Sequence, residues 1–204
     1  MVGFVFPSYY GNLPRIVLSF LEQLKIAPES YIYAIVTMGF IGQGTIGVLE
    51  SVLRKKNLRL DYGRGIRMPA NYILKYNPAD PYKSEGVLNK ATERIERVSL
   101  EIAARERSVK KIGFTTNNLY KNTDLLDAGF FADGSCNSCG QCVQVCPVKN
   151  IQRDGGKPKW LRRCEHCVAC ISWCPRQAIQ YGRRTKARRR YHNPRINVSE
   201  LAVE

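Results

Sequence analysis

All eight cysteines of this 204-residue chain fall in two copies of one pattern, CxxCxxCxxxCP. The first is Cys136, Cys139, Cys142 and Cys146 with Pro147; the second is Cys164, Cys167, Cys170 and Cys174 with Pro175. Thiolates two residues apart can converge on a cube of iron and sulfide, and in the bacterial two-cluster arrangement the fourth cysteine of each run ligates the other run's cluster. The spacing therefore predicts two 4Fe-4S clusters, the first held by Cys136, Cys139, Cys142 and Cys174, the second by Cys164, Cys167, Cys170 and Cys146. Two zinc sites are the competing reading, but zinc modules usually separate two CxxC pairs by a longer loop so that four sulfurs close a tetrahedron. Disulfides are disfavoured, because the sequence shows no charged-then-apolar secretory leader and reads as cytoplasmic, where thiols stay reduced.

The repeat extends beyond the cysteines. Residues 136–151 and 164–179 align at an offset of 28, which also matches the prolines and pairs Ile151 with Ile179. Each half reads as a cluster loop followed by a short helical turn started by Pro147 or Pro175. Gly140 and Ala169 lie between cysteines, where a small residue lets backbone amides approach inorganic sulfide and so help set the reduction potential. His166 reads as a solvated loop histidine with no assigned role.

Charge bounds the partners. The formal net charge is +15, and residues 134–204 hold 14 Lys and Arg against 4 Asp and Glu, a net +10, leaving +5 for residues 1–133. Each oxidised cluster with its thiolates adds about two negative units, so the loaded protein stays strongly basic at about +11. No apolar run reaches the ~18 residues of a membrane span. Six of the eight residues from Arg183 to Arg190 are basic. Such a block can track nucleic-acid phosphates, yet no base-reading module accompanies it, and Trp173, Tyr181 and Tyr191 lie beside the cysteines as packing groups. A solvated tail that docks acidic protein redox partners is the preferred reading, with nucleic acid and membrane disfavoured.

Upstream, short apolar runs alternate with helical periodicity. Val2–Phe6 reads as a buried strand stopped by Pro7. Asn12 then caps a helix whose face carries Ile16, Val17, Phe20, Leu21 and Leu24. Tyr31–Val36 forms a second strand, the Gly-containing loop 37–44 follows, and Ile46, Leu49, Val52 and Leu53 mark a helix ending near Asn57. Residues 58–68 hold a third strand. This βαβαβ order predicts a parallel sheet covered by helices. From Pro81, Leu88, Ala91, Ile95, Val98 and Ile102 recur at helical spacing, and the pairs Glu93–Arg97 and Glu101–Arg105 line the solvent side. Residues 107–133 show no sustained period.

The stretches FVFPSYYGNLPRIVLSFLEQL, VTMGFIGQG and MPANYI, the double cysteine motif and the trailing RRRYHNP together resemble the EFR-type ferredoxins, which fuse a flavodoxin-like domain to a bacterial two-cluster ferredoxin. The resemblance implies an α/β fold: a truncated flavodoxin-like parallel sheet with helices over 1–106, a connector over 107–133, a small α+β ferredoxin domain over 134–182 and a basic tail over 183–204. It also implies soluble one-electron transfer, with a flavin-dependent reductase fed by the clusters as the alternative and a cluster-bearing nucleic-acid binder as a lesser one. The sequence departs from the family at its start, where the phosphate loop and the first two strands are expected; Met1 falls just before what resembles the third strand of five. Tyr9, Tyr10, Gly39, Phe40 and Gly42 are candidate FMN ring contacts, but without a phosphate anchor FMN binding is not expected. The uncovered strand at residues 2–6 is expected to draw a second copy into a homodimer unless residues 107–133 cover it.

Overall fold

The computed structural model describes residues 1–40, 42, 44–78, 80–110 and 127–201. These divide into two compact units, one of residues 1–70 with 80–110, the other of residues 71–78 with 127–201.

The first unit is a mixed α/β layer structure. Strands β1 (Val2–Pro7), β2 (Ile32–Met38), β3 (Tyr62–Arg67) and β4 (Ser108–Val109) form one parallel sheet in the order β1-β2-β3-β4. Helices α1 (Arg15–Gln23) and α2 (Gly44–Lys55) cover one face, where Leu21, Ile46, Leu49 and Leu53 pack on Phe4, Phe6, Ile32, Ala34 and Val36. Helix α3 (Pro81–Ala103) covers the other, with Ala91 and Val98 against Tyr31, Ile35, Tyr62 and Ile66. Among the described residues β1 is an edge, and its Val5 is 67% exposed. Of residues 107–133, expected as a possible cover for that edge, Ser108–Val109 pairs with β3 and Phe130–Ala132 with Ile179–Tyr181, and residues 111–126 lie outside the described residues.

Three local expectations are corrected. Asn12 does not cap α1; its Oδ1 accepts from the Leu13 amide at 2.8 Å while its backbone pairs with Tyr9, and Pro14 stands at the cap without a side-chain bond. The buried stripe of α1 runs through Val17, Leu18, Leu21 and Leu24, leaving Ile16 and Phe20 exposed. Helix α3 is capped as helices prefer, with Asp80 Oδ1 accepting from the Lys83 amide at 2.9 Å and Pro81 at the first position. Its Glu101, however, turns away from solvent toward the sheet. There Arg64 of β3, 4% exposed, donates to Glu101 Oε2 at 3.1 Å and to the Ser108 carbonyl at 2.6 Å. The Tyr62 hydroxyl donates to the same carboxylate at 2.5 Å, and the guanidinium lies 4.3 Å from the centre of the Tyr62 ring. A buried guanidinium must find a counter-charge and acceptors, a demand stronger than the local i,i+4 pairing of Glu101 with Arg105.

The second unit is built from short pieces. Strand β5 (Phe130–Ala132) pairs antiparallel with β8 (Ile179–Tyr181). Strands β6 (Ile151–Asp154) and β7 (Lys157–Trp160) form a hairpin turned by Gly155 and Gly156, both at positive φ, as a two-residue hairpin turn requires. Helical turns α4 (Gln141–Gln144) and α5 (Ala169–Ser172) each carry the third cysteine of their motif and end before the fourth. The helical turns thus precede Pro147 and Pro175 rather than follow them. Each proline instead sits second in a tight turn, closed by the Lys149 amide to the Cys146 carbonyl at 3.0 Å and by the Gln177 amide to the Cys174 carbonyl at 2.9 Å. Ile73, Phe130, Ile151, Val168, Ile171 and Ile179 form the core together with Cys146 and Cys170. The basic run contributes structure here. Arg188 donates to the Ile73 carbonyl at 2.6 Å, and Arg189 binds Asn77 and Pro78 through its backbone and side chain.

Candidate metal centre

The two cysteine runs repeat in backbone conformation as well as in sequence. Positive φ occurs at Ser138, Gly140 and Lys149 in the first run and at His166, Val168 and Gln177 in the second, each pair 28 residues apart. The left-handed position between the second and third cysteines is therefore Gly140 and Val168, not Ala169. A β-branched residue there is strained, by roughly 1–2 kcal/mol. The same offset appears in the hydrogen bonds to sulfur. The Asn150 amide donates to Cys146 Sγ at 3.2 Å and the Ala178 amide to Cys174 Sγ at 3.3 Å. The His166 amide donates to Cys164 Sγ at 3.3 Å. Amide donors favour the thiolate form that a metal ligand needs.

All eight thiols are free of disulfides. The fold brings Cys174 to the first run: Cys136, Cys139, Cys142 and Cys174 line one concavity. Burial pushes the Cys142 thiol up to about 11, and Cys174, Cys139 and Cys136 push it in the same direction. Cys146 in turn lies with the second run. Burial first, then Cys167, Cys164, Cys146 and Cys142, raise the Cys170 thiol well above its ordinary value. Cys164 is pushed up to about 12 and Cys167 to about 11, again by burial foremost, with Cys146 adding to both. Thiols so crowded and desolvated resist ionisation unless a cationic core neutralises them, so the donor set fits a metal group. Among the described residues no three His, Cys, Asp or Glu side chains close to the spacing of a single ion. The sulfurs around an iron–sulfide cube stand wider than those of a zinc tetrahedron with its ~2.3 Å bonds.

The supporting residues are largely ones that sequence reasoning missed. Asn150, fully buried, accepts from the amides of Leu161 and Arg163 through Oδ1 and donates to Asp127 through Nδ2, tying the Cys146 turn to the approach of the second run. His166 is 4% exposed and so not solvated: its Nδ1 meets the Tyr72 hydroxyl at 2.9 Å, and its ring packs beside Phe130 and Tyr181. Arg190 is half-buried and reaches back to β8 with bonds to the Ile179 carbonyl at 3.0 Å and Gln180 Oε1 at 2.9 Å. Burial lowers its pKa while Cys174, Asp133 and Cys170 oppose that shift, which puts its charge beside both cysteine groups. Trp173, next to Cys174, stacks on His192 at 4.1 Å. Arg188 and Arg190 are therefore structural, whereas Arg183, Arg184 and Lys186 remain exposed.

In the first unit, the loops after β1 and β2 meet at the carboxyl end of the sheet, with Ser8 Oγ 2.7 Å from Thr45 Oγ1. Tyr10 and Gly11, both at positive φ, turn the chain between Tyr9 and Asn12. Gly39 and Gly42 are needed for close approach, since a Cβ would stand 2.9 Å from Ala70 Cβ and 2.8 Å from Ser8 Cβ respectively. Phe40 is exposed.

A family model described as a 4Fe-4S dicluster domain matches residues 127–179. No curated protein and no solved structure matches the chain. The match begins at buried Asp127 and ends at Ile179 of β8, spanning both cysteine runs, and supports a ferredoxin-like iron–sulfur domain over this segment. Among the described residues no helix is long and apolar enough to cross a membrane.

Proposed function

We propose that the protein is a one-electron carrier with two 4Fe-4S clusters, one on Cys136, Cys139, Cys142 and Cys174, the other on Cys164, Cys167, Cys170 and Cys146. The observation that carries this reading is Cys174 lining one concavity with Cys136, Cys139 and Cys142, between runs that share one backbone conformation; an exchange of the fourth cysteines accounts for it. Each cluster, when bound, takes up and gives back one electron. The chain's own residues hold the thiolates, donate amides to their sulfurs and exclude water on the Ile171 side. The first unit reads as flavodoxin-like: a parallel sheet with two helices on one face and the third on the other supports it. The internal bonding of Arg188 and Arg190 argues for protein partners, acidic in character, over nucleic acid. The edge that β1 forms among the described residues supports pairing with a second copy.

Purified anaerobically, the 204-residue chain is expected to carry about eight iron and eight sulfide and no flavin. Of the candidate ring contacts at the carboxyl end of the sheet, Phe40 is exposed and Tyr10 lies in a positive-φ turn, so ring contacts alone would have to hold the flavin. Metal analysis, the absorbance spectrum and FMN titration decide it. A stoichiometric flavin released on acid precipitation would instead support a reductase fed by the clusters.

Arg190 gives a second test. A fixed positive charge favours the reduced, more negative cluster, so Arg190→Gln is expected to lower the midpoint potential by tens of millivolts, on the scale of about 59 mV per 1.4 kcal/mol for one electron. Arg190→Lys should keep most of the wild-type value. A redox titration followed by paramagnetic resonance reads the shift, and an unchanged or raised potential for Arg190→Gln would count against the assignment.

A further inference from the structure

The two cysteine groups differ in exposure. In the first group Cys139 is exposed and Cys136, Cys142 and Cys174 are half-buried. In the second, Cys146 and Cys170 are each 8% exposed and belong to the apolar core, with Cys164 and Cys167 half-buried. Electron tunnelling weakens steeply with distance, so the group nearer the surface is the one a partner reaches. The concavity at that group is lined by Arg153 and Arg176 and, among the described residues, by no acidic one. Both arginines are exposed. Arg153 extends from β6 along the Gly140 turn, its Cδ and Nη1 4.0 Å from where a Gly140 Cβ would stand. Arg176 follows Pro175 in the second proline turn, directly after Cys174. Strand β6 and the second proline turn thus each bring one cation to the lining of the first group.

We infer that the mouth framed by Arg153 and Arg176 is the electron port of this protein, and that it docks an acidic protein redox partner. The inference rests on the two-cluster reading above and adds which cluster exchanges electrons and through which residues. The buried group is then the inner relay. Two cations at the rim of a concavity with protein walls focus their field on the point of electron entry. Arg183, Arg184 and Lys186 carry more charge, but they lie outside that lining.

The test uses the complete, cluster-loaded chain and probes of opposite charge. In stopped flow the sulfur dioxide radical anion from dithionite gives one electron to an oxidised cluster and leaves as neutral sulfur dioxide. Reduced methyl viologen, a monocation, gives one electron and leaves as the dication. Arg153→Gln with Arg176→Gln is expected to slow the anion about tenfold at low ionic strength, to lose that difference at high salt, and to speed the viologen. Arg183→Gln, Arg184→Gln and Lys186→Gln together should change either rate by less than about twofold, because distant exposed charges are screened. Unchanged rates in the double variant, or equal slowing in the triple variant, would overturn the port. Iron and sulfide in the unsubstituted protein judge the two-cluster reading separately from these rate ratios. Should the double Gln variant lose iron, Arg176→Gln alone and the charge-keeping double Lys variant carry the comparison, the first slowed and the second at the wild-type rate.

Discussion

Cys146→Ser protein is expected to keep about half of its iron, and the half it loses is the cluster of the other motif. Cys146 belongs in sequence to the first run but sits among Cys164, Cys167 and Cys170, within the apolar core and with the Asn150 amide on its sulfur. A serine hydroxyl is a poor ligand for iron and cannot replace the thiolate that balances the cluster's charge. Cys174→Ser should give the mirror result, loss of the cluster on Cys136, Cys139 and Cys142. Iron content fixes the amount lost. Paramagnetic resonance of the reduced proteins, compared with Cys139→Ser and Cys167→Ser as references for each cluster, fixes the identity. Loss in Cys146→Ser confined to the cluster of its own run would refute the exchange. The consequence extends beyond redox. Because each fourth cysteine links the two halves, Cys146→Ser should also loosen the packing of Ile151, Ile171 and Ile179, visible as faster amide exchange in β6 and β8.

The cysteine pattern was legible because ligand spacing is a local property, and the internal repeat at 28 residues announced that both halves bend alike. The bends themselves were not. Ser138, His166, Val168, Lys149 and Gln177 adopt positive φ without being glycine, so no residue type marks them. The Gly140–Ala169 comparison failed for that reason, whereas strict use of the offset pairs Gly140 with Val168. The hairpin at Asp154-Gly155-Gly156-Lys157 did carry a signal, two glycines between short strands, and went unread. Other misses are tertiary. Periodicity over the helices names a face but not which charged residue on its border turns inward, and so Glu101 passed for a surface residue. The burial of His166 depends on Tyr72, 94 positions away, and the anchoring of Arg188 on Ile73 spans 115. A run of like charges reads as solvated from composition alone; here its last members donate to the carbonyls of Ile73, Pro78 and Ile179.

The buried ion pair of the first unit leads to the largest stability effect expected there. Glu101→Ala should destabilise that unit by about 3 kcal/mol, because Arg64 then stays buried with its charge uncompensated. That is a large fraction of the total for a domain of this size. The Tyr62 hydrogen bond first, and the charges of Arg64 and Arg94 with it, hold the Glu101 carboxyl below the usual carboxylate range, against the effect of burial. A carboxyl with a depressed folded-state value contributes stability that is present above its unfolded value, about 4.3, and is lost as pH falls through the folded one. The gap between wild type and Glu101→Ala should therefore be full at neutral pH and narrow below about pH 4. Urea unfolding followed by far-ultraviolet circular dichroism gives the size, and amide exchange in β3 assigns it to this unit. A loss below about 1 kcal/mol would place the pair with ordinary surface ion pairs. Replacing both partners, Arg64→Met with Glu101→Leu, removes the stranded charge and fills its space with apolar atoms, so it should recover most of what Glu101→Ala loses. Recovery in the double variant is what separates an uncompensated charge from a simple cavity, since a cavity at position 101 would be filled by leucine with Arg64 left in place.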